Sequence, residues 1–159
     1  MPRAVGLAAV LTLLGLCALR LPLVSAQDAA ASALAGRWLT EPRDGIIEIA
    51  RSADGSFQGR IIGGNAPGRV DARNPDAGRR QQLLLGQIIL LGMRPDGAAA
   101  WSGGTIYEPD SGRTYKCHLE LIDRDHLKVR GFIGVSLLGR SQIWTRYSGA
   151  SLDLSAPAH

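Results

Sequence analysis

Between Arg37 and Tyr147 the chain alternates short apolar runs with clusters of Gly, Pro, Asn and Asp, and it nowhere sustains the period of an amphipathic helix. Eight runs have strand character: Arg37–Glu41, Ile46–Arg51, Ser56–Ile62, Gln87–Met93, Ala99–Tyr107, Arg113–Asp123, Leu127–Ile133 and Gly139–Tyr147. Turn residues separate them at Asp44-Gly45, Asp54-Gly55, Asp96-Gly97, Pro109-Asp110-Ser111-Gly112 and Asp123-Arg124-Asp125, all connections of hairpin type. The pattern predicts one all-β domain over 27–147, a single eight-stranded antiparallel up-and-down barrel. Closure would remove the exposed strand edges that invite aggregation. Gly59, Gly103, Gly104 and Gly131 lie inside runs, where a barrel wall must bend or bulge.

Two stretches interrupt the meander. Gly63 to Gln82 carries Pro67 and Asn74-Pro75-Asp76, and it is too long for a turn; loops of that length are either functional or unstructured. Gln27–Leu34 is alanine-rich and predicts a short helix across one barrel end, while 148–159 is small and polar and reads as a flexible tail.

The first 26 residues read as a secretory leader. Arg3 precedes an apolar run from Ala4 to Leu19, and Val24 and Ala26 are the small residues a signal peptidase requires. Arg20 interrupts the run before the roughly 20 residues of a spanning helix. Cleavage after Ala26 is expected, with Gln27 first in the mature chain. The location is then the periplasm or the medium beyond it, with membrane contact only through the cleaved leader.

Export changes the charge and cysteine accounts. Removing 26 of 159 residues takes Arg3 and Arg20 with it, so 16 basic residues face 14 acidic ones, a net charge of +2. Only Lys116 and Lys128 are lysines, and the arginines are scattered, so the chain lacks the basic block of a nucleic-acid binder. Cys117 is left alone and forms no internal disulfide. It alternates with Tyr115, Leu119 and Leu121 and is expected as a small buried hydrophobe.

Gly36-Arg37-Trp38 at the first strand and Arg146 near the end of the last resemble the calycin superfamily of lipocalin-like barrels. The resemblance implies structural roles for Trp38 and Arg146: the tryptophan closes the barrel floor and the arginine stacks over its face. A more specific likeness lies in Trp101-Ser102-Gly103-Gly104-Thr105-Ile106-Tyr107-Glu108-Pro109, Gly112 to Cys117, Leu127 to Gly134 and Leu138 to Arg146. Together with the Phe57–Ile62 strand and Asp71/Asn74-Pro75-Asp76, it resembles the bacterial secreted family called domain of unknown function 2147 over about Leu34 to Tyr147. That resemblance implies an envelope location and a lipocalin-like barrel, and no activity. Arg69 to Arg80 contains no cysteine, so it carries over no metal or disulfide role.

Candidate chemistry concentrates on the last strand. Arg140, Gln142, Trp144 and Arg146 share one face, and they point inward if Arg146 covers Trp38. Such an interior needs internal acids, water or an anionic ligand, because an unpaired buried charge costs several kcal/mol. Trp101 and Tyr107 share a face with Gly103 and Thr105 on an earlier strand. Arg130 and Glu48 are further candidates, although apolar residues on the opposite faces of their strands favour an outward direction. The candidate ligand-binding set is therefore Trp101, Tyr107, Arg130, Arg140, Gln142 and Trp144. The long loop would act as a lid over the open end.

Metal, cofactor and catalytic signatures are missing from the sequence. His118, His126 and His159 lack zinc-ligand spacing. Asp71, Asn74 and Asp76 lack the glycine and distal glutamate of a calcium loop, so Asx turns account for them better. No nucleophile–base set is readable. Three function classes follow. The first is a module binding a small amphipathic or anionic molecule with an acidic head and an apolar body. The second is an envelope interaction or stability protein whose barrel is filled by a salt-bridged polar core. The third, least favoured, is an enzyme with an unrecognised site.

Overall fold

The computed structural model describes residues 25–135 and 138–155. The leader up to Val24, Ser136, Leu137 and residues 156–159 of the tail lie outside the described residues. Helix α1 (Ala26–Leu34) precedes β1 (Gly36–Leu39), β2 (Gly45–Arg51), β3 (Phe57–Gly64), β4 (Ile88–Pro95), β5 (Ala100–Glu108), β6 (Arg113–Leu121), β7 (His126–Phe132) and β8 (Gly139–Arg146). Each strand pairs antiparallel with its sequence neighbour, and β1 pairs with β8 to close a barrel. This is the eight-stranded meander that the turn residues predict.

Helix α1 forms where the alanine-rich stretch stands, with Asp28 favouring the positive helix end; Ser25, whose side chain accepts from the Asp28 amide, lies on the leader side of the expected cleavage point. Its last residue, Leu34, is fully buried, and the Leu34 carbonyl accepts a 2.9 Å hydrogen bond from Trp38 Nε1. The helix thereby stoppers one barrel end. On that side the interior is filled by Trp38, Ile49, Phe57, Trp101, Leu119 and Trp144, all at most 2 % exposed. Phe57 and Trp101 meet edge to face at 6.0 Å, a favoured aromatic geometry. Cys117 joins this core, and burial pushes its thiol pKa up to about 12. The interior is thus apolar. The ion pairs among the described residues, such as Arg94–Asp54 and Lys128–Glu120, lie on the outside, so the salt-bridged polar filling envisaged for a plugged barrel is corrected.

The floor contact is explicit. The Arg146 guanidinium carbon sits 3.8 Å from the Trp38 ring centroid, and the two residues are also register partners across the β1–β8 seam. Arg146 donates to the carbonyls of Ala33, Ala35 and Arg124. Gly36 makes room: it has φ +124°, and a Cβ there would stand 2.9 Å from Arg146 Nη1.

Two departures from regular pairing matter at the other end. In β5 the register shifts between Trp101 and Gly104, with Gly103 at φ +78°, a bulge that inserts one residue into the strand. The β3–β4 ladder ends at Arg60↔Ile88, which leaves the end of β3 without its neighbour. Part of the presumed tail takes that place: the Gly64 amide donates to Leu152 O and Gly64 O accepts from Leu154 N, satisfying backbone groups that β4 no longer reaches.

Candidate functional site

At the end opposite α1, the connections 40–44 and 109–112, with Ile133 and Leu138, border an open cavity of about 980 Å³. The long loop contributes no lining residue to it, so the lid expected of that loop is corrected. Its deep wall is apolar, built from Ile89, Ile106, Val129 and Trp144. Tyr115 and Gln142 line it higher up, and Glu108, Arg113 and Arg140 stand at the rim. Neither Arg113 nor Arg140 is paired with an acid or a carbonyl among the described residues. Glu108 is occupied: the hydroxyls of Ser111 and Tyr115 both donate to its Oε2, the latter at 3.3 Å.

Strand β8 explains how one face can hold two arginines without burying an uncompensated charge. Arg140, Gln142 and Trp144 pair with Gly131, Val129 and Leu127, and all point inward. Six residue steps of roughly 3.3 Å separate Arg140 from Arg146, about 20 Å along the strand. Arg140 therefore emerges at the open rim and Arg146 at the floor, while Trp144 alone occupies the dry middle, 2 % exposed. Gln142 bridges the two environments, its Oε1 accepting from Trp144 Nε1 at 2.9 Å.

Known proteins share this architecture. The family model described as "Uncharacterized protein conserved in bacteria (DUF2147)" matches residues 36–146, the whole barrel from β1 to β8. The chain belongs to the DUF2147 family. Its fold is similar to that of protein HP1028 from Helicobacter pylori, described as belonging to the lipocalin family. The TM-score is 0.65 at 20% identity, over 72% of this chain and 83% of that one. No curated protein matches.

Within this DUF2147 barrel, three of the six candidate ligand residues sit where the cavity needs them: Arg140, Gln142 and Trp144. Arg130 does not. It lies between inward-facing Val129 and Gly131, pairs with His118 and Ser141, and donates to Ser141 Oγ at 3.0 Å on the outer wall. Trp101 belongs to the filled half and does not line the cavity; among the described residues its Nε1 is a buried polar atom without a partner. Tyr107 reaches the cavity edge, but the β5 bulge shifts the strand's phase, so Ile106 continues the inward face. Glu48 also faces outward, 4.0 Å from Arg37.

The long loop is fastened to this rim through a buried carboxylate. Asp71 is fully buried and accepts from the Tyr107 hydroxyl and from Asn74 Nδ2, both at 2.7 Å. Burial, with the Asp71 carboxylate beside it, pushes the Tyr107 pKa up to about 12. Arg69 pairs with Asp110, tying the loop to the β5–β6 turn. Asn74 and Asp76 accept from the Asp76 and Gly78 amides at 2.9 Å, the local turns expected of such residues.

Sequence reasoning missed Arg113, Tyr115, Ile106 and Gly131 as cavity residues. The first two were accessible: the alternation that places Cys117 and Leu119 inward places Arg113 and Tyr115 there as well. Gly131 is an inward position whose missing side chain leaves the cavity open. A Cβ there would meet Ile106 Cγ2 and Tyr115 Cβ at an ordinary 3.5 Å.

Proposed function

We propose that this DUF2147 protein is an exported binding module that holds a small molecule with an acidic head and an apolar or planar body in the open half of its barrel. The observation that carries the reading is a cavity of about 980 Å³ with an apolar wall and, at its rim, two arginines without an acid or carbonyl partner among the described residues. Pockets for small ligands run to roughly 300–1,000 Å³ and combine apolar lining with a few placed polar groups. The guanidinium fork suits a carboxylate or phosphate, and Trp144, Val129 and Ile106 would receive the body. The occupied Glu108 on the other side of the rim favours Arg140 as the principal anchor. The filled half of the barrel sets the depth to which a ligand can enter. The working location is the periplasm, with a mature chain beginning at Gln27, which the intact mass of protein from the envelope fraction would verify.

A thermal-shift screen of fatty acids, aromatic acids and phosphorylated metabolites tests the reading, because a ligand bound only by the folded state raises its melting temperature. Arg140→Gln should weaken a hit by about tenfold or more, roughly 1.4 kcal/mol per decade, and leave the unliganded melting temperature unchanged. Gly131→Leu should abolish binding by filling the cavity, again with the fold intact, since its Cβ meets no close contact. If no acid stabilises the protein, or if Gly131→Leu binds as well as the native chain, the interaction-protein reading replaces this one.

A further inference from the structure

Five charged residues line the cavity among the described residues, and the order of the strands sorts them by sign. Asp44 on the β1–β2 connection, Glu108 at the end of β5 and Asp110 in the turn after it are the acids. Arg113 at the start of β6 and Arg140 on β8 are the cations. Arg69 of the long loop pairs with Asp110 from outside the cavity. With it the mouth holds three acids and three cations, so it carries no net charge, and one acid alone has its cation. Glu41 and Arg43, also on the 40–44 connection, do not line the cavity, and Glu41 accepts from the Ile143 amide instead. Charges that merely solubilise a surface are interspersed; these lie in two arcs.

The arcs meet at one hairpin without neutralising each other. Glu108 and Arg113 are register partners across β5 and β6, a position where opposite charges ordinarily join. No ion pair joins them among the described residues. Glu108 Oε2 instead accepts from the hydroxyls of Ser111 and Tyr115, which fix the carboxylate, and its Oε1 accepts nothing. The Asp44 carboxylate likewise takes a hydroxyl, that of Thr40 at 2.7 Å. Glu108 and Asp44 thus lack a cation while Arg113 and Arg140 lack an acid. A purely anionic guest would satisfy the arginines and set its charge against the two carboxylates, and a purely cationic guest has the reverse defect. A guest carrying an ammonium and an acid group a few atoms apart satisfies both arcs at once. The rings of Tyr115 and Phe132 line the same cavity and offer faces suited to an ammonium.

We infer that the cavity selects zwitterions: the acid group of the guest meets Arg113 and Arg140, its ammonium meets Glu108, and its apolar body enters the barrel. This rests on the binding function proposed above and narrows its ligand class to ammonium acids. The test is calorimetric titration of the full exported chain with two matched pairs. One pair is tryptophan and indole-3-propionate; the other is lysophosphatidylethanolamine and lysophosphatidylethanol, both below the concentration at which they form micelles. Each pair shares a body and an acid group and differs in the ammonium. In at least one pair the ammonium member should bind about tenfold or more tightly, the least expected of one charge-assisted hydrogen bond. The pair that shows the gain names the source, a free amino acid or a lipid headgroup. Glu108→Gln keeps an oxygen for the two hydroxyls and should bring that ratio to about one; if the variant does not fold, the ratio of the native chain decides alone. The inference falls, and the binding function stands, if acids bind but no ammonium partner binds better, or if the gain survives Glu108→Gln. Binding by none of the four molecules, nor by any acid of the thermal-shift screen, overturns both.

Discussion

Removing Trp38 should cost more than removing any other single side chain of the barrel floor, and the loss should be coupled to Arg146. The indole is fully buried beneath α1, so Trp38→Ala leaves a large cavity, a change that costs on the order of 3–5 kcal/mol. It also orphans the Leu34 carbonyl, which takes its Nε1 hydrogen bond, adding about 1 kcal/mol. Arg146→Ala removes donors to the carbonyls of Ala33, Ala35 and Arg124, which comes to about 2–3 kcal/mol at roughly 1 kcal/mol for each partly solvated bond. The guanidinium lies 3.8 Å from the ring centroid, so the two losses share a stacking contact of about 0.5–2 kcal/mol. Urea unfolding of both single variants and the double variant measures the coupling, provided the m-value is constant. A coupling of about 1 kcal/mol is expected. Additivity to within about 0.3 kcal/mol would refute the argument that the stack, rather than each residue alone, holds the floor. If Trp38→Ala does not fold, Trp38→Phe, which keeps a ring and loses the hydrogen bond, serves in the same cycle.

Two further outcomes follow from burial. Cys117 should react with maleimide at neutral pH at least about a hundredfold more slowly in the folded protein than in urea, because a buried thiol with its pKa near 12 offers almost no thiolate; comparable rates would place it at the surface. Tyr107 has its folded pKa raised from 10.0 to about 12, so its neutral phenol contributes stability that is complete below pH 10 and is lost as pH rises through about 12. The 295 nm titration difference between the native chain and Tyr107→Phe should therefore centre near 12, and a difference centred near 10 would mean that Asp71 and Tyr107 are apart in solution.

The barrel was legible because its signals are local. Turn residues such as Asp54-Gly55 and Asp96-Gly97 act over a few positions, and the eight strands fall within a few residues of the runs between them. The face of β8 was legible for the same reason, since counting by twos from Arg146 reaches Arg140 without interruption. Counting failed in β5, where the bulge at Gly103 and Gly104 adds one residue and carries Tyr107 out of phase with Trp101. Arg130 shows a different limit: its strand gave the correct face through Leu127 and Val129, and only a preference for charge in the cavity argued for including it. Depth was the larger omission. A strand face names the side chains that point inward but not which of them lie beyond the point where the core is full. That point is set by α1, Trp38 and Trp101, which come from distant parts of the chain.

The seam between β1 and β8 also governs when the fold can form. Those strands share only two register pairs, Trp38↔Arg146 and Leu39↔Thr145, yet they unite the two extremes of the barrel sequence. Until β8 is present, the floor tryptophan has no cation above it, α1 lacks the guanidinium that holds its last carbonyls, and β1 and β7 remain open edges. Contacts of such long sequence separation form late and slowly. A nascent chain that stops short of Trp144 has no closed barrel to fall into. The last strand is thus a timing element as well as a wall, and commitment to the native state waits for its arrival.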